Sequence, residues 1–459
     1  MRKAAVLVLV MLLATTTMTH ADATSDALAK ISKKTDGAVA MLAVTIKTQL
    51  DTRAAGGPAI CIDAQRGIFL TTALSPGLRS EDVQKCELAV SGTGKRIKGK
   101  LLGIDPGTGL GFVEATEKHD WKEIQFSAKS GLEMGDKVVS AGLMLNVPSF
   151  PTFLGTGYVG AKLRLPDHLI YVTGGSLTSV CSPVFSMDGR AIGIVGRQLF
   201  MDYQTATRRG PVALPLKGTN ATSFFVPVEE FVDVLTNIPT GGKTRRLSWL
   251  GVNTFKPVAS EDAGGKVAVE IGQVIPDQPA AKAGLQEGDV IVGVDGKGLE
   301  ELGTPKLTMQ NFVRDLTRMS AGSTVKFTVL RGTETKEYPV KLAVMPKTRA
   351  EAKRYINKEI GLAIREKVML DKYLDDSPTA DVEGLVVINL GKGMAAQAAG
   401  VLPGDVITHV GEQKVSTVDA FTQLLEQDLA QTGVTQFTIR RGDGVVKPVI
   451  RPVKRGNNR

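Results

Sequence analysis

Four histidines and three cysteines carry most of the chemistry open to this chain, and their spacing limits it. His20, His119, His168 and His409 stand far apart, as do Cys61, Cys86 and Cys181. No metal-ligand spacing emerges, and no cofactor is expected. Cys181 lies in GGSLTSVCSPVFSMDGRAIGIVG (174–196) and is a candidate nucleophile. Its thiolate would need exposure and a base. His119 and His168 are the histidines of that region, and neither adjoins it in sequence. The competing reading of Cys181 is a buried structural thiol. Two glycine runs fail as phosphate sites. GTGK (92–95) lacks the preceding glycine spacing and a following Ser or Thr, and GTGLG (107–111) follows no strand–helix–strand pattern.

The end of that segment, SPVFSMDGRAIGIVG, resembles the stretch after the active serine in trypsin-like proteases of the HtrA/Deg family. There a G-N-S-G-G-P turn leads into a strand, an Asp-Gly hairpin turn and a second strand. Alignment on Pro183 puts Val180 at the serine position. GIFLTTALSP (67–76) resembles the family's histidine segment, with Leu74 at the histidine. GIDPGTGLGFVEA (103–115) resembles its aspartate segment, with Gly109 at the acid. The resemblance implies a protease shape without its triad. A serine hydroxyl needs a base to take its proton and a carboxylate to orient that base. Leucine, glycine and valine supply none of these. The oxyanion hole would fall to backbone N–H groups of Thr178 and Val180, both β-branched and stiff.

The elements that would hold these positions are short. Runs such as AVAMLAVTI, CELAV and KVVSAGL alternate with Gly, Pro and Asp turns, as strands do. SFFVPVEEFVDVLTNI (223–238) reads as a strand and a closing helix, with Phe231, Val234, Leu235 and Ile238 on one helical face. PTGGKTRRL (239–247) reads as a linker. A repeat follows. AAKAGLQEGDVIVGVDGK (280–297) and AAQAAGVLPGDVITHVGE (395–412) each place a short helix before a glycine, then a Gly-Asp turn and a Val/Ile strand. Gly284 and Gly400 suit left-handed helix caps.

The repeat resembles the core of PDZ domains, which the HtrA/Deg family carries after its protease. Trp249-Leu250-Gly251-Val252 and Glu359-Ile360-Gly361-Leu362 resemble carboxylate-binding loops. Such a loop turns backbone N–H groups toward a peptide's terminal carboxylate, and the peptide adds to the sheet edge. Helices near 308–319 and 417–426 would form the other groove wall, with Phe312 and Phe421 lining it. Leu250, Val252, Ile360 and Leu362 would line the apolar pocket. The second domain, with no tryptophan at its loop, is the expected binder.

The resemblance therefore implies a mainly β protein: a leader at 1–23, a trypsin-like double antiparallel β-barrel at 24–240, and two α+β PDZ domains at 241–347 and 348–459. It implies a scaffold, adaptor or chaperone for peptide C-termini or unfolded segments. The alternatives are an endopeptidase using Cys181 and a regulatory partner of an active homologue. The family trimerises through aromatic residues near its mature N-terminus. No Phe, Trp or Tyr precedes Phe69 here, so the resemblance leaves homo- or hetero-oligomers with HtrA-like subunits open. It also places Cys61 and Cys86 on strands of the first barrel, as the expected disulfide.

Composition agrees with an exported globular chain. Of 459 residues, 42% are hydrophobic and 50 are glycine, enough for about three turn-rich domains. MRKAAVLVLVMLLATTTMTHADA pairs a basic start with an apolar run from Ala4 to Ala14 and a small-residue cleavage site, Ala21-Asp22-Ala23. That is a secretory leader, and it implies a periplasmic or secreted protein in which a disulfide is permitted. The run is too short to span a bilayer, and no transmembrane segment follows. The net charge is +9, of which +6 lies in the last twenty residues. No aromatic residue interleaves there, so specific nucleic-acid binding is not expected.

Overall fold

Short β-branched strands separated by glycine turns build two closed barrels. The structure, a computed structural model, describes residues 24–47, 52–196, 202–207, 210–215, 224–241, 246–374 and 378–452. The expected leader and the last residues of the basic tail lie outside the described residues. Two compact units are present, one formed mainly by residues up to 245 and the other mainly by residues from 246 onward.

The first unit opens with helix α1 (24–35), which buries Ile31 completely. Strands β1 (Val39–Lys47), β2 (Thr52–Asp63), β3 (Ile68–Thr71), β4 (Val83–Val90), β5 (Arg96–Ile104) and β6 (Gly111–Ala115) close a barrel in the order β1-β2-β3-β6-β5-β4. Strands β7 (Lys137–Leu143), β8 (Thr152–Arg164), β9 (His168–Thr173), β10 (Pro183–Ser186), β11 (Ala191–Val195) and β14 (Phe224–Pro227) close the second, in the order β10-β11-β14-β9-β8-β7. Between β11 and β14 a hairpin is formed by β12 (Asp202–Thr207) and β13 (Gly210–Pro215). The β10–β11 turn carries Asp188-Gly189, and Gly189 has φ +85°, the left-handed angle such a tight turn favours. One apolar core runs through both barrels. It holds Ile60, Leu70 and Phe112 from the first barrel, Val139, Cys181 and Phe185 from the second, and Phe231 and Val234. The expected closing helix is present as α2 (Val232–Thr236).

The second unit contains two modules of one plan. In the first, β15 (Ser248–Trp249) precedes β16 (Val252–Val258), β17 (Ala268–Val274), the short helix α3 (Pro279–Lys282), β18 (Val290–Val294), β19 (Lys297–Gly298), α4 (Pro305–Arg318), β20 (Thr324–Arg331), β21 (Glu334–Lys341) and β22 (Ala343–Val344). The sheet order is β16-β17-β18-β20-β21. The second module repeats this with β23 (Arg354–Asn357), β24 (Leu362–Glu366), α5 (Asp371–Leu374), β25 (Leu385–Leu390), α6 (Ala395–Ala398), β26 (Val406–Val410), β27 (Gln413–Lys414), α7 (Val418–Thr432), β28 (Thr435–Arg441), β29 (Gly444–Val446) and β30 (Val449–Ile450). Its order is β23-β24-β25-β26-β28-β29, one strand longer at the start.

Local chemistry explains the element ends. Thr304 and Thr417 cap α4 and α7, their hydroxyls accepting from Leu307 N and Ala420 N at 3.3 Å each. Gly284 and Gly400 have φ +83° and +86°, so the repeated glycine is the helix stop the sequence suggests.

Candidate functional site

None of the three positions that would hold a catalytic triad carries a reactive group. Leu74 is 2% exposed. It fills the space beside Gly111, where a Cβ would lie 3.0 Å from Leu74 Cδ1. Gly109 lies two residues before that glycine, in the turn leading into β6. It has φ +71°, and its N–H donates to Asp105 O at 2.8 Å. The one buried carboxylate of this turn, Asp105, is turned back on its own loop. Its Oδ2 accepts from the N and Oγ1 of Thr108, both at 2.8 Å. Val180 is half-buried, next to Cys181.

The loop that would form an oxyanion hole is engaged with its own barrel. The N–H of Thr178 donates to Ser140 Oγ at 2.8 Å, and both residues are buried. The loop is pressed on β7 at Gly142, where a Cβ would fall 2.6 Å from Ser182 Oγ and from Thr178 Cβ. A donor already satisfied at the ground state is not aimed at a developing oxyanion.

Cys181 sits at φ +65° and is 1% exposed. Its N–H donates to Val195 O at 2.8 Å. Burial pushes its thiol up to about 11, against opposing hydrogen bonds from Thr72 and Thr71. The candidate nucleophile is thus a neutral thiol in the core at ordinary pH. Neither candidate base reaches it. His119 stacks edge-on to Trp121, ring centroids 4.4 Å apart. His168 faces the buried Glu230, with Nδ1 and Oε1 2.5 Å apart.

The expected Cys61–Cys86 disulfide is absent, and both are free, buried thiols. Topology gives the reason. β2 and β4 are separated in the closed barrel by β1, so the two cysteines stand about 9–10 Å apart at ordinary strand spacing. That exceeds the reach of a disulfide. Desolvation pushes each thiol up to about 12. Among the described residues no cluster could hold a metal ion.

The two glycine loops of the second unit take the turns the sequence suggests. Gly251 and Gly361 have φ +86° and +69°. Their flanking residues are more buried than expected of an open pocket. Leu250, Ile360, Leu362 and Phe421 are 0% exposed, Val252 4% and Phe312 6%. Leu250, Val252, Ile360 and Leu362 anchor the loops in the core, whereas Phe312 lines a small cavity with Leu299 and Met319. Leu250 O accepts from Ala280 N at 2.8 Å, and Ile360 O accepts from Ala396 N at 2.9 Å, so each loop is tied to its short helix.

The modules differ at the edge where a peptide would add. In the first, β16 ends its sheet. Pro257 lies on it, as edge strands allow, and Phe255 meets Phe312 of α4 with centroids 5.3 Å apart. In the second, β23 covers the edge of β24. The first module thus has an uncovered edge strand, and the second, the expected binder, does not.

A repeated ion pair was not legible in the sequence. Asp289 and Asp405, of the two Gly-Asp turns, are 1% and 2% exposed. Arg331 Nε donates to Asp289 Oδ1 at 2.6 Å, and Arg441 Nε donates to Asp405 Oδ1 at 2.7 Å. Each guanidinium also caps a glycine carbonyl, Gly284 O at 2.8 Å and Gly400 O at 2.6 Å. The arginine closing each module's strand thus fastens the helix cap to the turn. The signal was present as Leu-Arg-Gly and Arg-Arg-Gly downstream of each Gly-Asp, 42 and 36 residues on, but only the fold pairs them.

Comparisons agree with this architecture. A PDZ domain family model matches residues 250–342. A probable periplasmic serine endoprotease, DegP-like, of Pseudomonas fulva is 27% identical over 365 residues, covering 75% of this chain and 70% of that protein. Its counterpart in Bartonella henselae is 28% identical over 346 residues, covering 72% of this chain and 63% of that protein. Among solved structures, a variant of the HtrA-type protease AlgW with a decapeptide superposes with TM-score 0.53 at 19% identity, over 70% of this chain and 98% of that one.

Proposed function

We propose that this chain, a homologue of the DegP-like serine endoproteases and so of HtrA/Deg type, is an exported peptide-binding protein that does not cleave. The observation that carries the reading is the content of the three triad positions: Leu74, Gly109 and Val180 hold no nucleophile, base or orienting acid. The tie between Thr178 N and Ser140 Oγ adds support, because one oxyanion donor is spent. Loss of a single triad member costs on the order of 10⁴-fold in rate. The burial of Cys181 speaks against a thiol substitute.

Binding falls to the first PDZ domain. Its β16 edge offers unpaired backbone to an extended peptide, and Gly251 turns the loop that would receive a terminal carboxylate. Pro257 limits the added strand to the residues of β16 before it, so short C-terminal segments are the ligand class. The leader and the periplasmic relatives support export.

Two measurements test this. Purified protein incubated with casein should match the buffer blank. A fluorescent peptide with an apolar C-terminal residue should bind the full chain, and its C-terminal amide should bind much more weakly. Casein turnover, or equal affinity for free and amidated peptides, would overturn the corresponding half of the proposal.

A further inference from the structure

The segment preceding the second module's loop lies where a ligand strand would add. β23 runs antiparallel to β24 in the register Arg354↔Arg365, Tyr355↔Ile364, Ile356↔Ala363 and Asn357↔Leu362. α7 packs against both strands. In the first module the two residues before the loop, Ser248 and Trp249, pair with β22, and β16 is the end strand of its sheet.

Direction, terminus and side chains of β23 all match an added C-terminal peptide. Such a peptide runs antiparallel to the strand after the loop and ends beside the loop. β23 ends at Asn357, opposite Leu362. Asn357 Oδ1 accepts from Glu359 N at 2.9 Å and from Ile360 N at 3.0 Å. A side-chain oxygen therefore engages loop N–H groups of the kind a terminal carboxylate would meet. Tyr355 projects to the same side of the strand as Asn357, two residues away. Its ring lies 6.1 Å from that of Phe421 on α7, and its hydroxyl accepts from Asn357 Nδ2 at 3.2 Å. Lys353 holds the start of the segment to Asp419, in the first turn of α7, at 2.6 Å.

We propose that β23 is a built-in ligand that closes the groove between β24 and α7 until an extended peptide with a free C-terminus displaces it. This rests on the reading that these domains take peptide C-termini. A tethered segment competes at high effective concentration, so the groove opens only to a stronger ligand. A true carboxylate is that ligand, because its bonds to backbone N–H are charge-assisted and those of a carboxamide are not.

The test uses the full chain and a synthetic decapeptide ending in Tyr-Ile-Val with a free carboxylate. Binding is read by amide hydrogen exchange, with Val252–Val258 reporting on the first module and Leu362–Glu366 on the second. In the Tyr355→Ala/Asn357→Ala variant, affinity at the second module should rise about tenfold or more, since the closed fraction no longer taxes binding. The first module's response should not change. An unchanged second-module affinity overturns the proposal, whereas silence at the first module alone counts against the β16 reading. Should the variant not fold, an Ile356→Cys/Ala363→Cys cross-link decides, as directly paired positions lie within disulfide reach. Oxidised, the chain should show no peptide response at 362–366. Reduced, at millimolar peptide, it should show one, and its absence there overturns the proposal.

Discussion

The backbone N–H of Thr178 is bound to Ser140 Oγ at 2.8 Å inside the second barrel. The loop that would stabilise an oxyanion in a working protease is thereby fastened to the barrel wall. On the proposed reading, the departure from a working protease extends past three side chains to the backbone beside them.

Restoring the triad alone should therefore fail. The variant Leu74→His/Gly109→Asp/Val180→Ser should leave casein turnover at the buffer blank, because one missing oxyanion donor costs about 10²–10³-fold. Turnover comparable to an active homologue would show that only side chains were missing.

The three thiols should be silent in the native state. Dithionitrobenzoate at pH 8 should titrate none until denaturant is added and three afterwards, with no Cys61–Cys86 disulfide in non-reducing peptide maps. Their folded pKa values are raised by burial, to about 12 for Cys61 and Cys86 and about 11 for Cys181, from an ordinary value of 9.0. Above about pH 9 the unfolded chain loses these protons and the folded chain keeps them. Stability is thus full below that pH and falls as pH rises toward 11, by up to about 1.4 kcal/mol per pH unit per thiol. Urea unfolding at pH 8, 9 and 10 should show a shallower fall in Cys61→Ala than in the parent.

Breaking one ion pair should loosen one module. Arg331→Ala leaves the buried Asp289 carboxylate with Gln286 N as its remaining hydrogen-bond donor, at 2.8 Å. The cost should be about 2 kcal/mol, below that of a fully buried pair because Arg331 is 39% exposed. Arg441→Ala should do the same in the second module. Thermal unfolding that shifts for neither variant would remove the fastening role.

Gly251→Ala should weaken peptide binding and stability together. A Cβ there meets Gln278 Cβ at 2.6 Å, and φ +86° is strained for any other residue. A loss of about 1–3 kcal/mol is expected, read by chemical denaturation.

Much of the architecture was legible because it is written locally. Glycine stops at Gly284 and Gly400, the Asp188-Gly189 turn and the apolar face of Phe231 and Val234 need no distant partner to be read. A leucine at position 74, likewise, cannot act as a base in any fold. What stayed hidden depends on pairing. Arg354–Asn357 is too short to show alternation, and only the assembled sheet places it on β24. The cysteine pairing failed for the same reason: two strands of one barrel need not be neighbours, and β1 stands between them. Arg331 reaches Asp289 across 42 residues. The lining role expected of Leu250, Ile360, Leu362 and Phe421 failed because an apolar residue beside a glycine loop serves the core before it serves a ligand.

The closed barrels also decide where this chain is vulnerable to its own kind. A strand with an unpaired edge is a template for aggregation, and a barrel has none. On the proposed function, this chain would meet extended segments of other proteins. Among the described residues, unpaired strand edges lie in the β12–β13 hairpin and at the ends of the second unit's sheets, where Pro257 interrupts the edge of β16 and β23 occupies that of β24. The surface that would receive an extended peptide is thus also one of the surfaces open to runaway polymerisation, and the proline sets how long a strand can grow there.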